Sequence, residues 1–486
     1  MKIIRLRLDA ARLCRWHLWL IDGLRAIGGA GLCVELVNMR PLPRPMMALL
    51  ALEKALYGGG HALDRITSEM LPAGAVEPCG DPALTISLAG DGIGGGNVMT
   101  PLFDGMAGEE GALSAVIDGR APWLEVMMDG RRVSAGLPAV EEPRIAGRAL
   151  DNVMARVAEM LAAAARRQLA GKEPCPPPTD ERALTKRQAG AGGAARFALA
   201  SLAAKATARI ARLAGGGGEK WLVGYRRIEA GGGMRDSFRL DEEAYAILPD
   251  DGRRYYADPF VFVHEGRHFV FVEEYPYATG KGVISVAELD ERGNPATPRV
   301  VLEEPFHLSY PHVFAHDGEI WMIPEQEAAR RVTLYRCRHF PDEWEPADVL
   351  LDGVSASDAT VWHDGGRWWM LAATRPPHAS SWDTLSIHMA DALQGPWRAH
   401  PADPVLTDAR AVRPAGEMFT RGGALYRPAQ DCAGGYGRGI SLCRIGKLDE
   451  ECFLQSVERN LRPSRHAGVH TLNAAGGLEV VDFFGR

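Results

Sequence analysis

SDATVWHDGGRWWMLAAT, residues 357–374, reads as a polar residue, an apolar strand, a tight Asp-Gly-Gly turn and a second, aromatic-rich strand. The same phrase appears as ADPFVFVHEGRHFVFVEE (257–274), SYPHVFAHDGEIWMIPE (309–325), RPAGEMFTRGGALYRPAQD (413–431) and, more weakly, VHTLNAAGGLEVVDFF (469–484). Its polar anchors are Asp258, His312, Asp358, Arg413 and His470, spaced 46 to 57 residues apart. A repeat of that length built from short strands is the mark of a β-propeller, here with five blades expected. The run WLVGYRRI (221–228) precedes the first repeat and is expected to close the ring by completing the last blade, which removes exposed sheet edges.

Outward from the repeats, composition divides the chain into three. Residues 1–170 alternate helix-like stretches (MMALLALEKALYGGG, ALDNVMARVAEMLAAAARRQL) with strand candidates (GLCVELVNM, ALTISLAG), which predicts an α/β domain with a mostly parallel sheet. Residues 171–220 hold a Pro-rich linker and a basic helix, and 221–486 the all-β propeller. In the helix, Leu199, Leu202, Ala206, Ile210 and Leu213 recur at helical spacing beside Lys205, Arg209 and Arg212. That stripe is expected to pack on a neighbouring domain; peripheral contact with an anionic membrane surface is the other use of such a helix.

The net charge of −7 argues against a general nucleic-acid binder. No apolar run reaches the ~18–20 residues of a membrane span, and the N-terminus is broken by charges, unlike a signal peptide. The eight cysteines show no paired Cys-x-x-Cys spacing, so no metal and no cofactor are expected. Reduced thiols and a cytoplasmic location are the simplest expectation.

Anchors at the start of innermost strands point to the channel mouth. Two acids, two histidines and an arginine converging there must be hydrated, paired or occupied by ligand. Paired carboxylates suit glycoside chemistry, one protonating the leaving oxygen and one acting as base or nucleophile. Asp258, Glu325 and Asp358 are the catalytic candidates. Of Glu273 and Glu274, strand alternation lets at most one point inward; Glu325 is favoured over either because Pro324 fixes the backbone just before it. His312, Arg413, Arg427, Gln430, Asp431 and His470 are the substrate-binding candidates, suited to sugar hydroxyls or a phosphate. Tyr255, Tyr256, Tyr310, Trp368, Trp369 and Trp382 could stack on sugar faces, though most are expected in the core.

The segments RRYYADPFVF, SYPHVF, WMIPEQE, SDATVWHDGGRWWMLAAT, YRPAQDCAGGYG and VHTLN resemble the N-terminal domain of glucosamine inositolphosphorylceramide transferases, which is similar to the five-bladed propellers of family 43 glycoside hydrolases. The resemblance covers about residues 221–486 and implies a sugar-handling propeller. It implies that Asp258 stands where the hydrolases have their general base. Their second-blade acid falls on His312, and their Glu-Gly-Pro acid motif is absent, RPAGE at 413–417 being nearest. These departures leave a glycosyl-transferring or glycan-processing enzyme of polysaccharide or glycolipid assembly as the leading expectation. A non-catalytic glycan-binding scaffold is the second. Its partner would be a sugar, sugar phosphate or glycan.

Residues 1–170 weakly resemble a formyltransferase-like domain, which implies a Rossmann-like sheet and a third function, sugar N-formyl transfer. Of that family's Asn-His-Asp set only Asn97 and Asp104 carry over, so a degenerate domain is expected. The loop GDGIGGGN (90–97) could cradle a phosphate, but Pro101 interrupts the helix such a loop needs.

Overall fold

The computed structural model describes residues 2–37, 44–72, 80–89, 96–176, 190–213, 220–229 and 231–485, with backbone only for 208–213. The chain divides into two compact units, Met1–Gly216 with Pro376–Ser380, and the rest.

The first unit holds β1 (Lys2–Asp9), β2 (Ala30–Val37), β3 (Leu84–Ser87), β4 (Val98–Phe103), β5 (Met106–Ala107), β6 (Leu124–Met128) and β7 (Arg131–Leu137). Strands β2, β1, β3 and β4 run parallel side by side; β6 and β7 continue the sheet antiparallel. The helices are α1 (Arg15–Arg25), α2 (Arg44–Tyr57), α3 (Glu109–Ile117), α4 (Ala146–Leu169) and α5 (Ala191–Leu213). Alternation in KIIRLRLD buries Ile4, Leu6 and Leu8. Leu150, Val153, Val157 and Leu161 form the buried stripe of α4, each such side chain contributing ~1.5–3 kcal/mol. The first two amides of α4, Ala146 and Gly147, donate to the buried Glu53 carboxylate at 3.1 and 3.0 Å.

Three expectations change here. On α5 the buried side chains are Ala194, Phe197 and Ser201, whereas Leu199 and Leu202 of the expected packing stripe are exposed. Cys33 on β2 is disulfide-bonded, its partner lying outside the described residues, where reduced thiols were expected. Asp104 is a structural group, bonded to Arg120 and to the Trp123 amide, while Asn97 is exposed and pairs with Gln168. Most of the glycine-rich loop, residues 90–95, lies outside the described residues.

The second unit is a propeller-like arrangement of antiparallel sheets. Strand β8 (Lys220–Arg227) and β9 (Ala246–Ile247) precede the first sheet, β10 (Arg254–His264), β11 (Arg267–Pro276), β12 (Val283–Glu288) and β13 (Arg299–Leu302). The second sheet is β14 (Ser309–His316), β15 (Glu319–Glu325), β16 (Arg331–His339) and β17 (Glu343–Asp352). Then come β18 (Ala356–His363), β19 (Trp368–Thr374), β20 (Thr384–Ala390), β21 (Arg398–Ala399) and β22 (Leu406–Asp408). A further sheet is β23 (Phe419–Arg421), β24 (Ala424–Asp431), β25 (Gly439–Leu448) and β26 (Phe453–Leu461). Finally β27 (Gly468–Ala475) and β28 (Leu478–Gly485) pair with β8 and β9. The strand from WLVGYRRI therefore completes the last sheet, Val481 facing Gly224.

Four self-contained four-stranded sheets result, rather than the five expected from the anchors. The exception is the segment that carries the opening phrase. Its outer partner is split: β21 and β22 both pair with β20, and Pro401 and Pro404, which lack amide donors, lie between them. Strands β18–β20 still stand between their neighbours, through Trp368 and Met370 against Ile323 and Leu334, and through Trp369 and Leu371 against Val412 and Phe453. Val480 and Val223 meet Val261 and Val270, joining the last sheet to the first.

The hairpin turns repeat as the sequence suggests. Glu265-Gly266, Asp317-Gly318, Gly422-Gly423 and Gly476-Gly477 all have positive φ at both central positions, the twist-matched turn for a two-residue hairpin.

A buried, acid-rich polar cluster

Four of the five innermost strands slip register at their anchors, whereas Arg413 lies ahead of β23, which pairs without a break. The breaks fall between Ala257 and Phe260, Ser309 and His312, Ser357 and Thr360, and Val469 and Leu472. The bulged pairs are Asp258-Pro259, Tyr310-Pro311, Asp358-Ala359 and His470-Thr471. Asp258, Tyr310 and Asp358 sit at φ 48°, 44° and 55°, a left-handed conformation that re-aims the side chain.

The second-sheet anchor is thus Tyr310, not His312. His312 pairs with Ile323 and is packed between Phe260 and Phe314, with Nδ1 3.4 Å from the Val361 amide. Burial pushes its pKa down to about 3, so it stays neutral. It belongs to the packing between sheets. The Tyr310 hydroxyl meets Thr360 Oγ1 at 2.9 Å and accepts the Gly416 amide at 2.7 Å.

Two groups of polar side chains converge. In the first, Arg413 Nε donates to Asp358 Oδ2 at 2.6 Å, and its Nη2 reaches Asp358 Oδ1 and Glu325 Oε2, each at 3.3 Å. Gln430 Nε2 adds a donor to Asp358 Oδ2 at 2.9 Å, and the Asp358 amide donates to Glu325 at 3.1 Å. In the second, Asp258 accepts the Thr471 hydroxyl at 2.9 Å and the Tyr310 amide at 3.2 Å, with His470 Nε2 at 3.5 Å. Asp482 holds His470 Nδ1 at 2.6 Å and accepts the amides of Asp258, His470 and Thr471.

Strand alternation sorts the remaining candidates. On β24, Gln430 faces the cluster, so Arg427 and Asp431 face the other way. Arg427 donates to the Ala411 and Val412 carbonyls and to Gln455; Asp431 is bound by Arg462 and Asn460. Both brace the sheet instead of joining the cluster. On β11, Glu274 turns to Arg254 and Ser285, and Glu273 turns to His307 and the cluster. Glu273 faces Ala257 as Glu325 faces Ser309, so the two acids occupy equivalent places. Glu417 in RPAGE is electrostatically paired with Arg235.

The cluster holds five carboxyl groups, Asp258, Glu273, Glu325, Asp358 and Asp482, against Arg413 and His470. Its titration follows from that imbalance. Burial raises Asp258 to about 6, with His470 opposing and Asp358 and Asp482 adding. Burial and Asp358 push Glu325 well up against the pull of Arg413. Glu273 is pushed well up by burial and by Asp258, Asp482 and Asp358. Burial disfavours a charged His470, but Asp482 and Asp258 outweigh it and raise its pKa. Asp258, Glu273 and Glu325 are thus all pushed above the ordinary carboxylate range.

Half-buried Trp221 stacks on His470 at 3.7 Å, and exposed Tyr436 lies 5.1 Å from the Arg413 guanidinium and 5.4 Å from Trp382. Of the six aromatics singled out, Trp368, Trp369 and Tyr256 are core, Tyr255 stacks on Tyr275, and Trp382 borders the cluster. Asp482, Thr471, Trp221 and Tyr436 had no role in the sequence reading; Glu273 was set aside in favour of Glu325, and Tyr310 was considered only as a stacking ring. One signal was available: Asp258-Pro259, Tyr310-Pro311 and Arg413-Pro414 are all X-Pro pairs, which align Tyr310 with Asp258.

Among the described residues, Asp258, His470 and Asp482 are one of two groups that bring three metal-type donor atoms within 4.8 Å. Here they already satisfy one another and the neighbouring amides.

Residues 249–475 match the family model described as glucosamine inositolphosphorylceramide transferase 1, N-terminal. A glucosamine inositolphosphorylceramide transferase 1 of Oryza sativa subsp. indica is 37% identical over 199 residues, 40% of this chain and 27% of the relative. The Arabidopsis thaliana protein of the same name is 31% identical over 214 residues, 43% of this chain and 28% of the relative. The chain thus spans about a quarter of the length of these relatives. Similar solved structures include a β-xylosidase (TM-score 0.34, 14% identity, 44% of this chain and 80% of that one) and a family 117 glycoside hydrolase of Zobellia galactanivorans (TM-score 0.37, 12% identity, 54% and 90%). The resemblance read from the sequence holds for the propeller; residues 1–170 lie outside the family match.

Proposed function

We propose that the chain is a carbohydrate-active protein whose propeller cluster binds a sugar or sugar phosphate and acts on it by acid–base chemistry, transferring or cleaving a glycosyl group. The observation that carries this is the excess of buried carboxyls over cations around Asp258 and Glu325. A structural network would be balanced; here burial and the neighbouring acids push Asp258, Glu273 and Glu325 upward, the direction a general acid needs. The family match supports a sugar as the ligand.

In this reading Glu325, whose carboxyl is pushed up by burial and by Asp358 and which sits at the edge of the cluster, gives its proton to the departing oxygen. Asp258, poised near 6, receives the proton of the attacking hydroxyl. Arg413 and Gln430 hold Asp358 in place and offer hydrogen bonds to the ligand. Tyr436, Trp221 and Trp382 supply ring faces. Arg413 already engages both Asp358 and Glu325, and that pairing favours a second reading, a glycan-binding module without turnover.

One series of measurements decides. Nucleotide sugars, sugar phosphates and oligosaccharides are titrated into the purified chain and product is sought. Acid–base chemistry requires that Asp258→Asn keep ligand binding and lose turnover by ~10²-fold or more. Binding without turnover in the parent chain leaves the module. No binding of any sugar ligand, or binding indifferent to Gln430→Ala, removes both readings.

A further inference from the structure

Helices α2 and α5 pack together in the first unit, through Tyr57 Oη to Ser201 Oγ at 2.8 Å and Lys205 Nζ to the Leu56 carbonyl at 2.7 Å. Their outer faces are apolar. Leu52, Leu56, Leu199 and Leu202 are 44, 39, 69 and 40% exposed, among exposed alanines. These are four of the large apolar side chains that the fold leaves in water, and they share one helix pair. Isolated exposed leucines need no explanation; four on one packed helix pair do.

Charge separates this helix pair from the rest of the molecule. The chain carries 62 acidic against 55 basic residues, yet α5 has no acidic residue along its length and four basic ones, Arg196, Lys205, Arg209 and Arg212. The one acid of α2, Glu53, is buried under the start of α4. Neither helix therefore presents a carboxylate to solvent, while Arg44, Arg196 and Lys205 do present charge. Lys54 is bound to Asp64 at the rim.

We infer that the α2–α5 face docks on an anionic lipid bilayer, its leucines entering the headgroup boundary and its basic side chains meeting lipid phosphates and carboxylates. Leucines flanked by basic residues with no exposed acid are the composition of a helix lying in that interface. No described helix is long and apolar enough to cross a membrane, so this is attachment to a surface. Neutral apolar partners would leave the bias of charge without a use; an anionic surface satisfies both features.

The test is co-sedimentation of the full chain with vesicles of phosphatidylcholine alone and of phosphatidylcholine mixed with phosphatidylserine. Affinity is expected to be at least about tenfold higher for the mixed vesicles and to fall as salt rises from ~0.1 to ~0.5 M. Leu199→Glu with Leu202→Glu, and separately Arg196→Glu, are expected to lower it about tenfold with unchanged circular dichroism. Leu52→Glu on α2 serves if the double variant misfolds. Val457→Glu, at an exposed propeller position, is the control that should change nothing. Equal affinity for both vesicle types, no sedimentation, or full binding by the variants would overturn the inference. So would a concentration-dependent dimer dispersed by Leu199→Glu, which would make a second copy the occupant.

Discussion

Among the described residues, two buried clusters of ionisable groups, one in each unit, are built to opposite rules. In the first unit Cys14, His17 and Glu109 stand together, with Cys14 Sγ 3.9 Å from His17 and His17 Nε2 3.6 Å from Glu109. His17 Nδ1 accepts the Cys14 amide at 3.3 Å and caps α1, and Arg12 flanks Glu109 at 3.6 Å. Burial pushes Glu109 up, but His17 and Arg12 outweigh it and hold its carboxyl below the ordinary value. Burial pushes the Cys14 thiol well up, so it is no nucleophile. Every charge has a local partner, and the cluster caps a helix. In the propeller five carboxyls face one arginine and one histidine, and Asp258, Glu273 and Glu325 move upward. A balanced buried cluster holds a fold together; an unbalanced one stores protons that a ligand or a reaction can use.

The largest effect that tests this contrast comes from Arg413→Met, which strips the cation from Asp358 and Glu325. Loss of ~3–5 kcal/mol is expected in denaturant unfolding at neutral pH, shrinking in acid as the freed carboxyls protonate. A loss below ~1 kcal/mol would mean that the cluster is not dominated by its acids.

Asp258→Asn comes next and carries a sign. The native carboxyl titrates near 6 against ~3.9 when unfolded, so the folded state holds its proton more tightly. That contribution is fully present below about pH 4 and is lost as pH rises through 6. The stability of the parent chain relative to Asp258→Asn should therefore fall by ~2–3 kcal/mol between pH 4 and 7.5. A pH-independent difference would show that its neighbours do not load Asp258.

Glu109→Gln should show the reverse slope. A depressed carboxyl contributes stability above its ordinary titration range and loses it as pH falls through the native value. Loss of ~1–3 kcal/mol at neutral pH, vanishing in acid, is expected; a cost that grows in acid would erase the contrast between the units. The smallest effect belongs to His312: its ring resonances should not titrate between pH 5 and 8, because burial holds it neutral. Titration near 6.5 would return it to the solvent-facing channel that its sequence position suggested.

Much of the propeller was legible in the chain. Alternation and the two-residue turns gave each hairpin, and the polar residue before each apolar run gave Asp258, Asp358, Arg413 and His470. The anchor of the second sheet was misplaced by two residues because the bulge, not the pattern, decides which side chain turns inward. Arg427 and Asp431 could have been set aside by alternation alone, since Gln430 between them faces the cluster. The count of four-stranded sheets was not legible, because it depends on β20 finding a continuous partner strand. On α5 the 3.6-residue period was real, yet the buried face was its alanine, Phe197 and Ser201 side.

By itself the sequence determined the division into an α/β part and a repeated β part, the hairpins, and the residue types at the channel anchors, because these depend on spacing along the chain. Only the tertiary structure decided which carboxyls share a cluster, which of them are pushed above the ordinary range, and which leucines remain in water. Those follow from burial and from charges brought together by segments tens to more than two hundred residues apart, and no local pattern encodes them.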